Sequence, residues 1–202
     1  MKKLSELIKP YLSIVFGALL FLVFLNDLRG EGGQLALGII GVVLAVYYLA
    51  AGILGIILGD KLPKVVKMIF EIASVSAFPA LMFTEELISV INIHEYMGPT
   101  AWTISILLMI SALAVIAGYI LARFVKGKLM MRLGSLFALA FVLALLLDAL
   151  FYVTGDPVAI GDLNVVMVVL YVLYSLILLN SFRALGQEEP KAEEPKEEQP
   201  AE

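Results

Sequence analysis

Six long apolar runs, separated by short polar connections, constrain this chain more than any other feature. They cover roughly Tyr11–Asn26, Leu35–Gly59, Val65–Phe83, Ala101–Ala122, Leu133–Val153 and Leu163–Phe182. A helix needs about 20 apolar residues to cross about 30 Å of hydrocarbon, so each run is a candidate span. The first is short, which predicts an extension toward Leu4 with Lys9 reaching back to the interface. The runs are continuous rather than alternating, which excludes transmembrane β-strands. In lipid, only a helix satisfies its own backbone polar groups within one segment. The expected fold is therefore all-α: a polytopic transmembrane helix bundle of six spans over residues 1–186.

Composition agrees. Hydrophobic residues make up 61% of 202 positions, against about 45–50% in soluble domains. A soluble core of this size could not hide the excess. Cysteine is absent, which removes disulfides, thiolate metal sites and thiol catalysis together. The net charge of −4 is unevenly placed: from Gln187 onward there are seven Glu and two Lys. Residues 187–202 repeat a Glu-Glu-Pro-Lys theme and bury nothing, so a disordered acidic C-terminal tail is expected. The acidity belongs to that tail, and no nucleic-acid partner is expected.

The connections predict topology. Asp27–Gln34 is rich in glycine, Asp60–Lys64 holds Pro63, Arg123–Arg132 is basic, and Thr154–Asp162 carries the turn signal Gly155-Asp156-Pro157. Thr84–Thr100 reads as the longest loop, with an apolar middle lying along the interface. Placing the N-terminus inside puts 13 of the 14 Lys/Arg on the inner side and leaves only Arg29 outside. Positive charge collects on the cytoplasmic side, so both termini are expected in the cytoplasm. Lys2, Lys3 and Lys9 resemble the start of a signal peptide, but no small-residue cleavage site precedes Asn26-Asp27, which predicts an uncleaved first span. Short loops and the sharp charge bias suggest a bacterial plasma membrane.

Several residues stand out within the spans. Gly38, Gly41, Ala45, Tyr48, Gly52, Gly55 and Gly59 recur in steps of three and four, which aligns them on one helix face. Small residues let helix backbones approach closely in lipid. Ala114, Gly118, Ala122, Ala140 and Ala144 on spans 4 and 5 are candidate mates, and a second copy or a partner subunit is the alternative. Pro79 lies inside span 3 and frees the carbonyl of Val75, with Ser74 or Ser76 expected to help satisfy it. Glu71 follows Lys67 by four residues, the spacing of an inner-leaflet ion pair. Asp148 interrupts a leucine run. An intramembrane carboxylate is a functional candidate by default, and Arg29, Tyr152 and Asn164 are its expected partners.

No catalytic set is visible. His94 is the only histidine, so no multi-histidine metal site can form, and no metal or cofactor is expected. No Gly-x-Ser-x-Gly elbow, P-loop or dinucleotide fingerprint occurs. The residues point to a small non-enzymatic membrane protein that meets lipid and packs with other membrane helices as a scaffold or regulatory subunit. The alternative is a small transporter or permease component for a small solute or ion. In size, span number and topology the chain resembles the substrate-binding components of energy-coupling-factor vitamin transporters, an architectural resemblance that no motif carries.

Overall fold

The computed structural model describes residues 4–93, 95, 97–125, 127–155 and 162–187, and the side chains of all of these except 4–7, 60, 152–155, 162–164 and 187. Six α-helices follow one another: α1 (Leu4–Asp27), α2 (Gly33–Ile57), α3 (Lys64–Ile93), α4 (Pro99–Phe124), α5 (Lys128–Gly155) and α6 (Asp162–Gln187). A short 3₁₀ turn, Gly59–Lys61, links α2 to α3. No strand occurs among the described residues. All six helices are long and apolar enough to cross a membrane, and this is the architecture of a multi-pass membrane protein. The first span does reach back to Leu4.

One sequence expectation fails at α3. The helix does not stop at Phe83 but runs on through Glu85-Glu86 to Ile93. Glycine and proline are missing from Thr84–Tyr96, so nothing in this stretch breaks the backbone ladder; the polar pair alone had suggested a loop. At 30 residues and about 1.5 Å per residue, α3 is roughly 45 Å long. Its last third carries the two glutamates.

The helices pack antiparallel in sequence order, and α1 with α2 form the tightest pair. Their contact is built from the glycine stripe. A methyl group placed on Gly38 would come within 2.8 Å of the Asp27 carbonyl carbon, and one on Gly52 within 2.6 Å of the Pro10 carbonyl oxygen. At Gly41 it would lie 2.1 Å from Cγ of Phe24. Gly17 answers from α1: a methyl there would meet the Ala45 carbonyl oxygen at 2.8 Å. The stripe's mate is therefore α1, not span 4 or 5. Gly55 touches only the Pro10 ring. Gly59 drops out of the face, because it lies past the helix end at φ +45 with nothing near its α-carbon. Spans 4 and 5 use small residues on each other instead: a methyl on Gly118 would sit 3.2 Å from the Gly134 α-carbon.

The middle of the bundle is closed by rings from five helices. Phe16 of α1 meets Tyr48 of α2 edge-on at 4.7 Å and Phe78 of α3 at 5.2 Å. Tyr174 of α6 lies 4.6 Å from Phe78 and 6.0 Å from Phe141 of α5. All five are fully buried. Offset and edge-to-face ring pairs of this kind add about 0.5–1.5 kcal/mol each beyond area burial.

Candidate functional site

Inside this apolar bundle, polar groups gather in three places, and α3 carries a member of each. Its core face reads Glu71, Ser74, Phe78, Met82 and Glu85, in steps of three and four. Helical periodicity puts these residues in one line along the bundle axis.

The middle group belongs to the proline. Pro79 has no N–H, so the carbonyl of Val75 loses its helical donor. The Tyr174 hydroxyl of α6 donates to that carbonyl. Tyr48 donates to the carbonyl of Ser74 at 2.7 Å, and Tyr47 donates to that of Phe70 at 2.8 Å. Ser74 Oγ pairs with the Tyr47 hydroxyl at 3.0 Å, and Ser76 Oγ has no partner among the described residues. Tyrosines from neighbouring helices thus do the work expected of the two serines. The Ser74 hydroxyl is engaged with Tyr47 of α2, whereas Tyr174 projects across the packed interface to the Val75 carbonyl.

The second group sits at the end of the bundle where α1 begins. Glu71 bridges two cations: Lys9 Nζ lies 3.7 Å from Oε1, and Arg123 Nη2 lies 3.5 Å from Oε2. The three side chains are 14–24% exposed and tie α1, α3 and α4 together. The expected Glu71–Lys67 pair is not formed. Lys67 is exposed, because α3 turns Glu71 toward α1 and α4 while Lys67 stays on the outer flank.

The third group lies at the opposite end and is acidic. Asp148 is buried, 5% exposed, and accepts a hydrogen bond from the Tyr171 hydroxyl at 2.8 Å. Glu86 lies beside the buried Ser105 of α4. Glu85 is half-buried as a residue, but its Oε2 is fully shielded and meets no hydrogen-bond donor among the described residues. The charges close enough to act on Glu85 are Glu86, Asp148 and Asp27, all negative. Asp27 in turn accepts from Gln34 at 3.2 Å. Four helices therefore point carboxylates or hydroxyls toward one region: α3, α4, α5 and α6, with the end of α1 beside it.

Of the partners expected for Asp148, Arg29 is exposed and makes no ion pair with it. Arg29 sits in the turn after α1, where its side chain faces outward. The side chains of Tyr152 and Asn164 lie outside the described residues, as do His94, Lys126, Asp156 and residues 188–202. Tyr171, which does meet Asp148, was not singled out by sequence, nor was Glu85 as a core residue. The signal was present: had α3 been extended past Phe83, the period from Glu71 and Ser74 would have placed Glu85 on the same face. Among the described residues no three acidic or histidine side chains converge to hold a metal ion.

Comparison with protein-family models, curated proteins and solved structures gives no match to this chain. The functional argument therefore rests on the residues themselves.

Proposed function

We propose that this chain is a small membrane transport protein whose cargo carries positive charge, and that Glu85, Glu86 and Asp148 form its loading site. One observation carries the reading: among the described residues the shielded Oε2 of Glu85 meets no donor, and the charges of Glu86, Asp148 and Asp27 beside it are negative. Burying a charged group without partners is costly, so a packing role accounts poorly for Glu85 here. A site that receives a cation accounts for it directly. Ionisable groups inside a bundle commonly mark ion and proton pathways.

The scaffold reading has less support. It rests on glycine-rich packing faces and little polar machinery, and α1 occupies the glycine face of α2 within the chain. The lysines and arginines favour an orientation with both termini in the cytoplasm, as 13 of 14 fall on one side. The acidic cluster then lies toward the outside, and the ion pairs of Glu71 lie toward the cytoplasm. A plasma membrane suits this arrangement.

The test is flux in sealed proteoliposomes, driven by a membrane potential and followed with a pH-sensitive dye inside and with tracer cations outside. Glu85→Gln should reduce the flux at least tenfold, while Lys67→Gln leaves it unchanged. No flux of protons or cations by the parent protein would remove the transport reading.

A further inference from the structure

We propose that the charge received at this site is a single proton, held on Glu85. The inference deepens the transport reading, and rests on it for its purpose, but has its own observable.

Two arguments narrow the cargo. The first is the donor set. A calcium ion takes six to eight oxygen ligands, and magnesium demands near-octahedral geometry. No three acidic side chains among the described residues converge in this way, although Glu85, Glu86 and Asp148 are close enough to feel one another's charge. A proton needs only one oxygen. The second is room. Just inward of Asp148, Tyr171 packs against Phe78 with ring centroids 6.2 Å apart, and Phe78 packs against Phe16 and Tyr174. A solute of several atoms would have to part these rings.

The hydrogen bonds then pick the residue. Each group facing the cluster can be named: Asp27 from α1, Glu86 beside Glu85 on α3, Ser105 from α4, Asp148 from α5 and Tyr171 from α6. Asp148 accepts from Tyr171, and Glu86 lies beside the Ser105 hydroxyl. A donor directed at a carboxylate favours its ionised form. Glu85 Oε2 has no such donor among the described residues. When like-charged carboxylates share a low-dielectric region, one of them stays neutral. Protonating Glu85 forms one O–H bond, removes one negative charge and turns the orphan acceptor into a donor for a neighbouring carboxylate. Release breaks that O–H bond and returns the proton to water.

The test is infrared spectroscopy of the full-length protein in lipid at neutral pH, reading the carbonyl stretch of a protonated carboxylic acid and its shift in heavy water. Exposed carboxylates are ionised under these conditions, so the expected result is one such band, lost in Glu85→Gln and kept in Glu86→Gln. Should Glu85→Gln fail to fold, the parent protein decides: adding sodium or calcium chloride at constant pH should leave the band in place. The proposal is overturned by a parent protein without the band, by a band lost in Asp148→Asn but kept in Glu85→Gln, or by its loss on adding either salt. A band present in a protein that carries no flux supports the proton site and overturns the transport reading alone.

Discussion

Removing the Glu71 carboxylate should be among the most damaging single changes in the chain. Glu71→Ala takes away the carboxylate that lies between Lys9 and Arg123, two cations that are mostly withdrawn from solvent. Breaking a buried ion pair by deleting one partner costs about 3–5 kcal/mol. The residual exposure of these side chains moves the expectation to the lower end, about 3 kcal/mol. For a chain of this size that corresponds to a fall in Tm of roughly 6–12 °C. Replacing all three side chains with apolar ones, Lys9→Met, Glu71→Leu and Arg123→Leu, should recover most of the loss, because no charge is left unpaired. Lys67→Gln should lie within about 0.5 kcal/mol of the parent, as an exposed surface substitution does. Thermal unfolding in a mild detergent checks all of these variants. Equal losses for Lys67→Gln and Glu71→Ala would restore the pairing that sequence spacing suggested.

The second large effect is steric. At Gly41 even a methyl group would fall 2.1 Å from Cγ and within 2.6 Å of both Cδ atoms of Phe24, the base of a ring that is itself 2% exposed. The ring cannot swing clear by a small rotation, so α1 and α2 must separate. Overpacking of a well-filled interior costs about 1–3 kcal/mol, occasionally more. Gly41→Leu should reach the upper end of that range, since the close α1–α2 approach at Gly17, Gly38 and Gly52 is disturbed with it. Val43→Leu, two residues on and 61% exposed, should change stability by less than about 0.5 kcal/mol. Comparable unfolding temperatures for the two variants would show that the stripe does not pack as described.

How much of this was legible in the sequence differs by level. The six helices were, because a continuous apolar run of span length has one stable solution in lipid. The glycine face was legible as a face, since steps of three and four fix it. Its mate was not: α1 offers only one reciprocal glycine, Gly17, and Gly41, Gly52 and Gly55 meet Phe24, Ile14 and Pro10, residues that look like ordinary apolar filling. Asp148 announced itself by standing in a leucine run. Its partner Tyr171 did not, because a tyrosine in a span reads equally as an interfacial anchor or as core. Glu71 was assigned to the nearest cation along its own helix, and the pairing with Lys9 and Arg123 depends on helix rotation, which local spacing cannot supply. Glu85 was hidden by a boundary: ten extra residues of α3 turn a loop glutamate into a core one.

The proposed site requires that Glu85 is present for binding and not for packing, and the stability of Glu85→Gln in detergent decides between the two. Glutamine keeps the shape, cannot ionise and places an N–H₂ donor beside Glu86, Asp148 and Asp27. A residue kept for function at the expense of the fold leaves the protein at least as stable when it is neutralised. The expected Tm for Glu85→Gln is therefore equal to or above that of the parent. A fall corresponding to 2 kcal/mol or more, roughly 4–8 °C, would show that the carboxylate holds the bundle together and would contradict the account.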